Sequence, residues 1–144
     1  MCIRDSGNTL DVEELLKDFG ADVCRWWVSS LAFENDIKVD LDYFRIAGES
    51  YRKVRNTLRF LLSNLNDFSP EDGVEIQGLA PESLEAFALH QAAELRRQVL
   101  EAYQDFQFRR AHLLLFDFCN DTLSALYLNA VSYTHLTLPT IYSV

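Results

Sequence analysis

Apolar residues recur at helical spacing along most of the chain. Val12, Leu15, Leu16 and Phe19 form one stripe; Asp11 followed by Glu14 has the form of a capping box, and Gly20 reads as a stop. Asp22 is placed to cap a second short helix through Val23, Trp26, Trp27 and Val28. DIKVD, residues 36–40, alternates polar and apolar over a short extended piece. From Asp40 or Asp42 a long helical pattern runs to about Asn66. SPEDG at 69–73 ends it, and a loop containing Pro and Gly reaches Pro81. Pro81 suits the first turn of a further helix, whose apolar side carries Leu84, Phe87, Ala88, Leu95 and Val99. Another starts near Asp105, carries Phe108, Ala111, Leu114, Leu115 and Phe118, and ends near Asn120. The spacing thus predicts long helices near 42–67, 82–103 and 106–119, an all-α bundle preceded by two short helices.

A chain of 144 residues holds one domain, or one domain and a fragment of another. Hydrophobic residues at 49% and charged residues at 24% belong to a globular rather than a disordered chain. No apolar run approaches a membrane span, so no membrane partner is expected. Cys2, Cys24 and Cys119 lack short metal-ligand spacing, which argues against a metal site and a disulfide framework and points to a reducing cytoplasm. His90 and His112 lie in helical patterns without a Cys or Ser nucleophile at characteristic spacing, and His135 lies in the tail. They read as structural, and no catalytic residue is assigned.

The formal net charge is -9, yet YRKVRNTLRFLLSNLNDF (51–68) carries four basic residues in its first nine positions. With roughly 100° per residue, Arg45, Arg52, Arg55, Asn56 and Arg59 fall within an arc of about 100°. Ala47, Tyr51, Val54, Leu58, Leu61 and Leu65 lie on the opposite side, and Lys53 sits between. Glu49 is the only acid from Arg45 to Arg59, so acids nearby in sequence neutralise little of this charge. Two readings stay open: a solvated face paired with acids from other helices, or a phosphate-binding face, since guanidinium groups grip phosphate oxygens bidentately.

The ends have a different character. MCIRDS back-translates to ATGTGTATAAGAGACAG, whose reverse complement fits the codons of VSYTH in the tail VSYTHLTLPTIYSV. One DNA word inverted at both ends resembles a transposon-end sequencing adapter; the alternatives are coincidence and a β-prone tail rich in Thr, Tyr and Val. On the adapter reading residues 1–6 and 131–144 fall outside the fold.

GNTLDVEELLKDFGADVCRWWVSS (7–30), ENDIKVD (34–40) and YRKVRNTLRFLLSNL (51–65), continued by YQDFQFRRAH (103–112) and LSALYLNA (123–130), resemble the isoleucyl-tRNA synthetase family of class I aminoacyl-tRNA synthetases. Gly7-Asn8, Asp11 and Gly20-Ala21-Asp22 match the succession after that family's Lys-Met-Ser-Lys-Ser loop, and residues 55–61 match its Arg-Asn-Thr-Leu-Arg-Phe-Leu string. The resemblance implies a catalytic-domain junction over 7–40 that contacts the tRNA stem. It also implies the N-terminal part of an anticodon-binding helical domain over 41–130. Its partners would be tRNA, facing Arg45, Arg52, Arg55, Asn56 and Arg59, and the catalytic domain of the same parent chain. The parent would use ATP and magnesium to attach isoleucine to its tRNA.

Where the Lys-Met-Ser-Lys-Ser loop would stand this chain has CIRDS, and the His-x-Gly-His motif, editing domain and zinc-binding tail are not in it. The resemblance therefore implies an inactive fragment with no cofactor of its own. Its bundle would be incomplete, with exposed apolar stripes on the second or third long helix and at least one of Trp26 and Trp27 uncovered. The alternative is a non-catalytic helical protein-interaction domain.

Overall fold

A computed structural model describes residues 10–37, 39–69, 71, 73 and 78–132. Cys2, His135, Gly7-Asn8, the segment 1–6 and residues 133–144 lie outside them. The described chain forms an all-α bundle of five helices, without a strand among the described residues. DIKVD accordingly contributes irregular backbone, its Lys38 lying outside the described residues.

Helix α1 (Val12–Phe19) begins where Asp11 accepts the Glu13 amide at 2.9 Å, and it ends at Gly20. Gly20 has φ 81°, a left-handed conformation that glycine adopts without Cβ strain, and its N–H donates to the Leu16 carbonyl. Helix α2 (Ala21–Ser29) follows at once, so Gly20 is both the end of one helix and the start of the next. This overturns the expected Asp22 cap. With a single intervening residue, Asp22 already lies in the first turn, where its charge suits the helix dipole. There it pairs with Arg25 at 3.4 Å and accepts from the Tyr51 hydroxyl at 3.3 Å.

Helix α3 (Leu41–Ser63) is capped by Asp40, which accepts the Asp42 amide at 3.2 Å. It stops short of Asn66, because the side chains of Ser63 and Asn64 both donate to the Phe60 carbonyl at 2.8 Å and the chain passes into turns. Helix α4 (Leu84–Gln104) starts later than expected. The Ser83 hydroxyl accepts the Ala86 amide at 3.1 Å, which leaves Pro81 ahead of the helix rather than in its first turn.

Between α4 and α5 (Phe108–Asp117) the Gln107 N–H donates to the Ala102 carbonyl at 2.7 Å and the Phe106 N–H to that of Tyr103 at 3.2 Å. These bonds form a Schellman turn with Phe106, at φ 57°, in the position usually held by glycine. The expected start at residue 106 is thereby displaced to Phe108. The expected end near Asn120 is also overturned: α5 continues as a π-helical segment, Phe118–Leu128, and stays helical through residue 132.

Phe44, 2% exposed, anchors the core between Trp27 and Phe19, with ring centroids 4.4 and 5.6 Å away. The other buried apolar residues are small, namely Ala47, Ala102, Ala111 and Cys119, and they let the helix backbones approach closely. Large apolar side chains remain exposed on α4 (Phe87, Leu89, Leu100) and α5 (Leu113), and also on α3 (Ile46, Leu62). No helix among the described residues is long and apolar enough to cross a membrane.

Candidate nucleic-acid interface

Helix α3 presents its basic residues and Asn56 to solvent along its length: Arg45, Arg52, Lys53, Arg55, Asn56 and Arg59 are all exposed. Arg45 and Arg59, fourteen residues apart, span roughly 20 Å of helix at 1.5 Å per residue. The buried side is rotated from the expected one. Ala47 is buried and Tyr51, Val54 and Leu61 are half-buried, but Leu58 and Leu65 are exposed; Phe44, Gly48 and Thr57 complete the contact face. Gly48 faces α2 closely enough that a Cβ there would lie 3.8 Å from a Val23 methyl. Thr57 folds its hydroxyl back onto the Lys53 carbonyl at 3.0 Å.

The expectation that nearby acids neutralise little holds for only part of the face. Arg45 pairs with Asp42 at 2.5 Å, and Arg52 pairs with Glu49, each one turn back on the same helix. Asp42 lies just outside the stretch that set the expectation. Exposed pairs of this kind contribute about 0–1 kcal/mol, so a phosphate can recruit either arginine at little cost. Among the described residues Arg55 and Arg59 have no ion-pair or side-chain hydrogen-bond partner, and Lys53 lies 5.9 Å from the centre of the Phe116 ring. The uncompensated charge therefore gathers in the second half of α3.

On helix α4 one of the two arginines is engaged. Arg97 pairs with Glu94 at 2.6 Å and Glu101 at 3.5 Å, and hydrogen bonds from Arg97 and Gln98 lower the Glu94 carboxyl to about 2.

A groove of about 610 Å³ runs beside the second half of α3, between it and the π segment. Lys53, Asn56 and Phe60 line one wall; Asn120, Ser124 and Asn129 line the other. The charge cluster signalled the α3 wall in sequence. Nothing signalled the opposite wall, because the pattern there pointed to a helix end.

Trp26 joins α2 to the bundle. Its indole N–H donates to the Ser50 hydroxyl at 2.7 Å, and its ring packs against His112 with centroids 4.1 Å apart. Ser29 donates its hydroxyl proton to the Trp26 carbonyl, so its oxygen accepts from His112 Nδ1–H at 3.0 Å. Burial lowers the pKa of His112 and favours the neutral ring. His112 is thus held as a packed structural residue, whereas His90 is exposed. Trp26 and Trp27 are both half-buried.

Among the described residues no group of His, Cys, Asp and Glu is placed to hold a metal ion. Cys24 and Cys119 are free thiols, and burial raises the pKa of Cys119.

No family model matches the chain. It is 36% identical over 129 residues to the isoleucine–tRNA ligase of Desulfotalea psychrophila, covering 89% of this chain and 14% of that protein. The isoleucine–tRNA ligase of Desulfitobacterium hafniense is 41% identical over the same coverage. That of Lactococcus lactis is 38% identical over 127 residues, 88% of this chain and 13% of the relative. The chain therefore spans about one-seventh of the length of these relatives.

Proposed function

We propose that this chain is a non-catalytic, tRNA-contacting helical portion of an isoleucine–tRNA ligase, and that Arg45, Arg52, Arg55, Asn56 and Arg59 form its RNA face. The intact protein would attach isoleucine to its tRNA with ATP and magnesium, through residues outside this chain. Residues 7–40 would form the junction with a catalytic domain, and residues 41–130 the start of an anticodon-binding bundle. The observation that carries the RNA reading is that Arg55 and Arg59 stand on an exposed helix face with no ion-pair partner among the described residues. Arginines so placed contact backbone phosphates and position RNA without reading its sequence.

The test is binding of isoleucine tRNA to the chain by fluorescence anisotropy across a salt series. Arg55→Ala combined with Arg59→Ala should weaken binding at low salt and flatten the logarithmic salt slope by about 1–2. An unchanged affinity and slope would sink the phosphate-face assignment. A protein-interaction reading draws on the exposed Ile46, Leu62, Leu100 and Leu113. It gives no reason for the arginine cluster and stands second.

A further inference from the structure

A second groove, of about 530 Å³, lies where α2 and the loop after it meet the first half of α3. Its walls are mostly apolar, and Trp26, Trp27 and Tyr43 contribute rings to them. Tyr43 is 46% exposed, so much of its ring is open to a ligand. Asp36 is the one ionised side chain among the described residues that line the groove, and it has no ion-pair partner among the described residues. None of the α3 arginines lines it.

Three further polar groups in these walls can only accept hydrogen bonds. Ser30 gives its hydroxyl proton to the Trp27 carbonyl at 2.6 Å, and Ser50 gives its own to the Ala47 carbonyl at 3.0 Å. His112 donates through Nδ1 to Ser29, which leaves Nε2 of the neutral ring as an acceptor. The Trp26 N–H is already engaged with Ser50. Aromatic faces carry the negative end of a quadrupole, and Asp36 adds a full negative charge. An anion would be repelled by both, and a neutral apolar ligand would gain nothing from the carboxylate. A cation with N–H donors matches the rings, the carboxylate and the acceptors together.

We propose that this groove binds an organic cation bearing N–H donors, an alkylammonium or alkylguanidinium head, held by Asp36 and the rings of Trp27 and Tyr43. Such a head arrives either on a free amine or on a Lys or Arg side chain of a polypeptide. The site is separate from the second half of α3 and does not rest on the RNA reading.

The fluorescence of Trp26 and Trp27 reports occupancy. At pH 7.5 and fixed ionic strength, n-butylammonium and n-butylguanidinium should each give a saturable change in the millimolar range, and n-butanol none. Asp36→Asn should weaken cation binding about tenfold and Tyr43→Ala about threefold. Both residues are exposed, so the helical circular dichroism of the variants should match that of the native chain. Blocked Ala-Lys-Ala and Ala-Arg-Ala peptides separate the two sources. Tighter binding of a peptide than of its matching free cation would support a polypeptide side chain as the occupant, and equal or weaker binding a small amine. No saturable response to any of these cations, an equal response to n-butanol, or an affinity unaltered in both variants would overturn the proposal.

Discussion

His112 couples the joint at Trp26 to pH. Its neutral ring is buried against the indole, and burial lowers its pKa. The unfolded chain, with histidine near its ordinary value of about 6.5, binds the proton more readily than the folded one. Stability should therefore hold above that value and decline as pH falls through it toward the lowered folded pKa. Urea melts at pH 7.5 and 5.5 check this. The native chain should lose midpoint on acidification, and His112→Phe should lose much less over the same interval. Equal losses would place the acid sensitivity elsewhere. Sequence marked His112 as structural from its apolar neighbours, but its partners Trp26 and Ser29 come from a helix more than eighty residues away.

At the scale of elements, the turn from α4 to α5 carries strain that a single change can relieve. Phe106 occupies a left-handed conformation while 68% exposed, so its ring contributes little buried area to offset the backbone cost. Phe106→Gly should be more stable than Phe106→Ala by about 1 kcal/mol, since both lose the ring and only alanine keeps the Cβ clash. Thermal denaturation of the two variants measures the difference, and equal midpoints would mean the turn relaxes without cost.

Helix existence was legible throughout, because the apolar period repeats in every helix and Asp11, Gly20 and Asp40 are caps of recognisable type. Boundaries were less so. Ser83 took the cap ahead of the turn suggested by Pro81, and Phe106 stands where a glycine would have announced a helix end. The π segment was not legible, since an apolar pattern read at α-helical spacing does not distinguish the two windings. The α3 arginines could be read from helical phase. Their pairing with Asp42 and Glu49, and the groove beside them, required three-dimensional placement.

For the whole molecule, an acidic chain with an exposed basic stretch on α3 attracts a polyanion at short range and with that stretch foremost. The chain spans about one-seventh of its ligase relatives, and its described residues include no metal-binding cluster. On the proposed reading the residues that handle ATP lie outside this chain, and the purified chain should then show no isoleucine-dependent exchange between ATP and pyrophosphate. Exchange above a no-protein blank, abolished by a substitution within residues 7–130, would contradict the non-catalytic reading.

The neighbouring tryptophans give this fold two optical gauges. Trp27 sits against Phe44, and Trp26 lies against an imidazole that quenches indole emission more strongly once protonated. With Trp27 replaced by phenylalanine, the remaining fluorescence becomes a reading of one seam, where α2 meets α3 and α5. It would brighten when that seam parts and dim when His112 takes up a proton, so separation of the junction helices from the bundle can be timed without attaching any label.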